Sequence, residues 1–287
     1  MKQSFKNRHF EKDDSWGKIV LIYLTLIFMV LLSIYPLLNV FSVSLRPDNS
    51  LFSSTLNIIP ENWTFDNYRA AMQDIDLLLW LRNSLIISVL TAASTIVVAA
   101  PAAYAYSRYR FKGRRSGMLM FLSTQMFPAS MLLLPTYILL VKLNLINQMY
   151  GLLIPYIATA LPFTVWNLKG YFDTIPRSLE ESAYIDGCGA LSAFYRIVLP
   201  LSAPGLAISA LFAFMTAWSE YIIAKVILTK PNILTLPVGL VRLQGEFTTQ
   251  WGVYSAAAII TALPVVILFV SLSRFLVGGL TVGGVKE

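Results

Sequence analysis

The sequence predicts an all-α integral membrane protein of six transmembrane helices, with both termini in the cytoplasm and a helical cytoplasmic loop between the fourth and fifth spans. Three observations carry this expectation. Hydrophobic residues make up 56% of the 287-residue chain and charged ones only 13%, a balance that excludes an ordinary cytosolic enzyme. Six stretches longer than 20 residues contain no Asp, Glu, Lys or Arg: 19–45, 83–107, 116–141, 143–168, 197–219 and 247–273. Each suffices for a helix across a hydrocarbon core about 30 Å thick, which takes about 20 residues. Fifteen of the 22 basic residues then fall on one side, among them Lys2, Lys6, Arg8, Lys12 and Lys18 in the tail and Arg108, Arg110, Lys112, Arg114 and Arg115 in the first inner loop. The positive-inside rule places that side, and both termini, in the cytoplasm. The resulting organisation is a tail at 1–18, a six-span domain at 19–280 with its loop at 173–203, and a second tail at 281–287.

Taken in order, the first stretch has 27 uncharged residues, longer than the roughly 7 to 15 of a cleaved signal core, and reads as a retained span. The outer segment between Arg46 and Arg82 holds a short helix beginning near Phe65, with Thr64 as its cap. Proline interrupts most spans, at Pro36, Pro101, Pro128, Pro135, Pro155, Pro162 and Pro264. Inside a membrane such breaks survive where neighbouring helices or a water-lined cavity satisfy the freed carbonyls. Ser88, Ala92, Thr95, Ala99 and Ala103 form a small-residue stripe at helical spacing, as do Gly205, Ser209 and Ala213, and both read as packing faces. Glu220 sits near the end of the fifth span, where a carboxylate is costly; it reads either as an interfacial structural group or as part of an outer gate.

Several chemistries are missing. No Gly-rich segment leads to Lys and Ser or Thr, so no phosphate-cradling loop is present and the chain itself is not expected to hydrolyse ATP. One histidine, His9, and one cysteine, Cys188, leave no paired-histidine metal site, no histidine-based triad and no internal disulfide. The basic residues follow topology and are not clustered with exposed aromatics, which argues against nucleic acid. Only Glu220 qualifies as an intramembrane acid, so a carboxylate relay for secondary transport has little support.

The loop after the fourth span reads YFDTIPRSLEESAYIDGCGALSAFYRIVLPLSAPG. Pro176 suits a first helical turn, and Glu180 and Glu181 suit its positive end. Ile175, Leu179 and Ala183 form an apolar stripe, Gly187 and Gly189 provide left-handed turn positions, and a second helix runs over 190–198. By periodicity alone this is a compact hairpin at the membrane surface.

The spacing is more specific. Glu181, Ser182 and Ala183, then Asp186 and Gly187, then Ile197, Val198, Leu199 and Pro200 after nine further residues, closely resemble the EAA signature of permease subunits of binding-protein-dependent ABC importers, with Ser182 where the family has Ala. LWLRNS at 79–84, QMFP at 125–128, LPFTVWNLKGYFDTIPRSLEESAYIDG and the tail GGLTVGGVKE extend the resemblance to the smaller, six-span permease of maltose/maltodextrin-type importers. The resemblance implies a sugar importer working by alternating access, with a second homologous permease, two ATPase subunits and an extracytoplasmic sugar-binding protein as partners. The chain would sit in the cytoplasmic membrane among lipid, with no cofactor of its own; ATP and Mg would be bound by the ATPase subunits. Carried over residue by residue, Glu181, Ser182, Ala183, Asp186 and Gly187 become contact and elbow residues of an ATPase-coupling helix, and Ile197, Leu199 and Pro200 its anchors. Met126, Pro128 and Glu220 become candidate gate residues. The outer loop's Gln244, Gly245, Glu246, Phe247 and Thr248 become a candidate probe of the binding protein, where a plain connector is the alternative. The alternatives for function are a permease of the same superfamily for another oligosaccharide, a polyol or glycerol phosphate, and a stand-alone secondary carrier.

Overall fold

The computed structural model describes residues 16–52, 57–245 and 249–282, with side chains for all of these except Ala129 and residues 276–282. The tail up to residue 15, residues 283–287 and the probe candidates Glu246, Phe247 and Thr248 lie outside the described residues. Among the described residues every regular element is helical. In chain order these are α1 (Trp16–Ser44), α2 (Asp66–Gln73), α3 (Leu77–Arg108), α4 (Arg114–Thr124), α5 (Leu133–Lys142), α6 (Leu153–Thr174), α7 (Arg177–Ile185), α8 (Ala190–Ala193), α9 (Leu199–Leu201), α10 (Ala203–Trp218), α11 (Ile222–Ile227), α12 (Leu236–Arg242) and α13 (Trp251–Val282).

Among the described residues four helices are long and apolar enough to cross a membrane: α1, α3, α6 with its leading turn from Met149, and α13 through Phe275. A fifth crossing is available if Ala190–Leu201 and α10 count as one span bent by 79°. Pro36, Pro101, Pro162 and Pro264 lie inside helices that continue through them. The uncharged stretch 116–141, read from the sequence as a span interrupted by proline, is broken into α4 and α5, with a 3-10 turn at Ala129–Leu132 between them. The reason is Pro128, which adopts φ −57° and ψ 134° and cannot donate a backbone hydrogen bond. Its ring also pushes the preceding residue out of the helical region. Pro135 falls in the first turn of α5, where a missing N–H costs nothing.

The centre of the molecule is α3, packed against α6 and α10. Its small-residue stripe is buried throughout, from Ser88 to Ala103, so the backbones approach closely. Gly205, Ser209 and Ala213 of α10 are buried as well, the first two against α6. Gly205 is required by volume: a Cβ there would lie 2.7 Å from Cγ of Tyr171. The Asn167 amide of α6 donates to Ser209 Oγ at 2.9 Å, fastening the same contact.

The far end of the bundle is closed by polar bonds. Buried Arg46 donates to the carbonyls of Ser50 and Leu51 and to Ser42 Oγ. Asn67 of α2 donates to the carbonyls of Ser44 and Arg46 at 3.0 and 2.8 Å, and the backbone N–H of Asp66 donates to Thr64 Oγ1 at 3.1 Å. Thr64 is not the cap expected from the sequence: α2 starts at Asp66, Phe65 holds the N-cap position without a side-chain cap bond, and the Thr64 hydroxyl reaches only the first helical N–H. The loop before α13 is largely fixed. Asn83 donates to the carbonyl of Leu234 at 3.0 Å, Ser84 Oγ accepts from Leu236 N at 2.7 Å, and Leu234, Leu236 and Val238 are buried. The LWLRNS segment therefore serves as the seat for α12.

The close approach at Gly205 gives a direct test. Gly205→Leu should lower the unfolding temperature of the detergent-purified protein by several degrees, an overpacking cost of about 1–3 kcal/mol. Gly189→Ala, at a position where nothing lies within 4 Å of the added carbon, should leave it unchanged in the same heated size-exclusion assay.

Candidate functional site

The helical protrusion between α6 and α10 is the candidate site. Helix α6 ends where Ile175 turns to φ −80° and ψ 122° ahead of Pro176, and α7 starts at Arg177. At its other end Gly187 takes φ +81°. Cys188 N donates to the Ala183 carbonyl at 2.8 Å and Gly187 N to the Tyr184 carbonyl at 3.1 Å, the paired bonds of a Schellman terminus. Gly187 is thus left-handed as expected. Gly189 is not: it is extended, with φ −74° and ψ 160°, and opens α8 as its N-terminal cap residue. The second helix continues from α8 through a π turn, Phe194–Val198, into α9.

The buried face of α7 differs from the expected stripe. Ile175 and Ala183 are buried, but Leu179 is 44% exposed and Glu180 takes the inner position at 3% exposure. A carboxylate holds that place because it is fully partnered. Glu180 Oε1 accepts from Arg108 Nε at 2.5 Å, and Oε2 accepts from the Tyr104 hydroxyl at 2.6 Å. Arg108 also donates to the Ile175 carbonyl and to Ser107 Oγ, both at 3.1 Å. Ser107 in turn donates to Asp173 Oδ1 at 2.6 Å, its carbonyl accepts from Arg177, and Asp173 pairs with Lys169. The end of α3, the end of α6 and the start of α7 are joined in one polar network. Around it pack Tyr104, Phe172 and Phe194, with the Tyr104 and Phe194 ring centroids 4.7 Å apart.

Sequence reasoning missed this network. Arg108 was legible as one more topological cation and Glu180 as a helix-start acid; nothing in their separation of 72 residues signalled a pair. The motif residues lie on the outer side of the same structure. Glu181, Ser182, Asp186 and Gly187 are exposed, Ala183 is buried, Ile197 and Leu199 are half-buried, and Pro200 is exposed. Beside them the tip carries large apolar side chains in the open: Ile185 is 86% exposed, Leu191 70% and Tyr195 56%.

The gate candidates are separated in role. Met126 and Pro128 are exposed at the break between α4 and α5. Glu220 is a capping group: its carboxylate accepts from Ile223 N at 2.7 Å, Ala224 N at 3.0 Å and the buried Tyr156 hydroxyl at 2.8 Å, holding the start of α11 against α6. A cavity of about 160 Å³ beside this cap is lined by Gln125, Phe127, Thr159 and Ile223, bringing the break near α11. Of the probe candidates, Gln244 donates to the Tyr254 hydroxyl at 3.2 Å and Gly245 follows α12. Among the described residues no three His, Cys, Asp or Glu side chains gather as a metal-ligand set.

Helices long and apolar enough to cross a membrane, broken spans and a helical protrusion mounted on a buried polar network make an integral membrane subunit. The comparisons agree. Residues 95–281 match the family described as binding-protein-dependent transport system inner membrane component, and the chain belongs to that family. It is 37% identical to the galactooligosaccharides transport system permease protein GanQ of Bacillus subtilis over 94% of this chain and 96% of that one. It is 38% identical to the maltodextrin transport system permease protein MdxG of the same organism, over 91% and 95% of the two chains. In fold it resembles a chain of a bacterial ABC transporter involved in the import of the acidic polysaccharide alginate, with a TM-score of 0.78 at 24% identity, covering 95% of this chain and 99% of that chain.

The pairing of Glu180 with Arg108 predicts a specific pattern of stability. Arg108→Met should destabilise the purified protein by about 3–5 kcal/mol, because it strands a buried carboxylate. The double variant R108M/E180L should regain most of that loss. Thermal unfolding of the two variants and of Glu180→Leu, taken as a double-mutant cycle, measures the coupling.

Proposed function

We infer that the chain is the permease subunit of an ATP-driven sugar importer, crossing the membrane six times with both termini in the cytoplasm, the third crossing being made by α4 and α5 together. The orientation is supported by the excess of basic residues in the tail and in the α3–α4 turn. An oligosaccharide is the solute this reading favours, because the relatives GanQ and MdxG are permease proteins for galactooligosaccharides and maltodextrin.

The observation that carries the reading is the protrusion: an apolar tip, open to the aqueous phase, mounted on membrane helices through a buried ion pair. An exposed patch of Ile185, Leu191 and Tyr195 next to Glu181 and Asp186 suits a protein partner. In this reading the partner is an ATPase subunit. Two such subunits bind ATP and Mg, a second homologous permease completes the pathway, and an external binding protein delivers sugar. ATP-driven closure of the ATPase pair pulls on α7; the Arg108 and Glu180 contact passes the displacement to α3, and through α3 to α6 and α10. The pathway then alternates between outward and inward openings because the ATPase binds one arrangement more tightly. The breaks at Pro128 and at Ser202 are where the spans would bend. This chain transmits force and performs no chemistry. Gln244 to Thr248 remain the candidate contact with the binding protein.

Two measurements test this. The chain purified alone should show no ATP hydrolysis, and co-expressed with a second permease, ATPase subunits and a sugar-binding protein it should support ATP-dependent oligosaccharide uptake into vesicles. Gly187→Val should reduce that uptake at least about tenfold while membrane insertion persists, since a β-branched residue resists the left-handed conformation at the elbow. Hydrolysis by the isolated chain, or parental uptake by Gly187→Val, would contradict the reading.

A further inference from the structure

A cavity of about 950 Å³ opens between α4 and α6, at the end of the bundle that carries the protrusion. Its chemistry is graded along α4. Arg114 and Arg115, in the first turn, and Lys169 of α6 supply three cations, and no carboxylate lines the cavity. Lys169 is engaged by Asp173, whereas among the described residues neither Arg114 nor Arg115 has an ion pair or a side-chain hydrogen bond. One and two turns further along the same helix the wall becomes apolar, with Met118, Leu119 and Leu122, and Trp166 faces them from α6. Leu119 is 57% exposed and Trp166 51%.

A site that is cationic at the helix start and apolar deeper along the same helix is complementary to a molecule with an anionic head and a hydrocarbon tail. Neutral sugar fits it less well. Trp166 offers a ring to stack on, but the nearest planar amide, Asn167, is already committed to Ser209. We propose that this cavity binds an anionic phospholipid of the cytoplasmic leaflet, its phosphate between Arg114 and Arg115 and its acyl chains along Met118, Leu119, Leu122 and Trp166. Basic pockets between membrane helices on the cytoplasmic side bind such headgroups. The choice of leaflet rests on the orientation inferred above. Because α4 lies between the α3 end of the polar network and the break at Pro128, a lipid held there would brace one wall of the bundle where the span is weakest.

The test uses the full-length chain, purified in mild detergent with the subunits that accompany it, stripped of lipid, and titrated with phosphatidylglycerol or phosphatidylcholine under native mass spectrometry. Phosphatidylglycerol should be retained in preference to phosphatidylcholine by on the order of thirtyfold, the effect of about two surface cations. The variant R114Q/R115Q should lose that preference. The variant R110Q/K112Q removes the same charge from the neighbouring turn, at exposed residues that do not line the cavity, and should keep it. Equal loss in both variants would reduce the effect to general electrostatics, and no preference in the parent would dismiss the site. Displacement of the lipid by maltotriose would assign the cavity to the solute pathway, and displacement by inorganic phosphate would make it a soluble-anion site; either overturns the proposal. The readout is bound lipid, not uptake, so failure of the importer reading and failure of this site are separately visible.

Discussion

A carboxylate sealed inside a protrusion is stable as an anion only if its charge and both oxygens are satisfied, and the geometry around Glu180 follows from that requirement. Arg108 and the Tyr104 hydroxyl reach one oxygen each, and both come from the last turns of α3. Burying such a pair is expensive relative to an apolar contact, so its presence says little for stability. What it does supply is a directional fastening between α7 and the end of α3. Helix α7 can sit in only one register on α3, and the aromatic packing of Phe172 and Phe194 against Tyr104 closes the same joint.

From this joint the remaining architecture reads outward. The small-residue stripe lets α3 lie close to α6 and α10, so a push at its end reaches the centre of the bundle without slack. Where the bundle has to deform, the chain is interrupted instead of continuous: at Pro128 between α4 and α5, and at Ser202, whose hydroxyl bonds back to the Val198 and Leu199 carbonyls as the helix turns through 79°. Glu220 serves a similar purpose at the far end. By accepting from the first N–H groups of α11 and from the Tyr156 hydroxyl it ties that short helix to α6.

Local physics was legible in the sequence and long-range pairing was not. The uncharged stretches located the long helices because hydrocarbon demands length and apolarity, and Gly187 was recognisable as a left-handed terminus because it follows a helix and precedes a turn. Leu179 was assigned to the buried face that Glu180 holds, since a helical stripe drawn from hydropathy ranks every leucine above every glutamate; only the arrival of Arg108 from another helix reverses that order. The stretch 116–141 carried two prolines that the sequence marked as interruptions, and only Pro128 breaks it, because Pro135 falls in the first turn of α5 where a missing N–H costs nothing. Gly189 resembled Gly187 in composition, yet only one residue in the turn needs a positive φ.

The central claim is that α7 and the end of α3 move as one body. It is tested most directly by the distance between spin labels at Ile185 and Arg110, both exposed, in an assembled transporter carrying Cys188→Ala to remove the native thiol. Measured by electron–electron double resonance without nucleotide and in an ATP-trapped state, the separation should stay within about 2 Å, the scale of small adjustments in packed helices. A shift of about 5 Å or more, one helical turn, would show that the protrusion moves independently of α3 and would contradict the account.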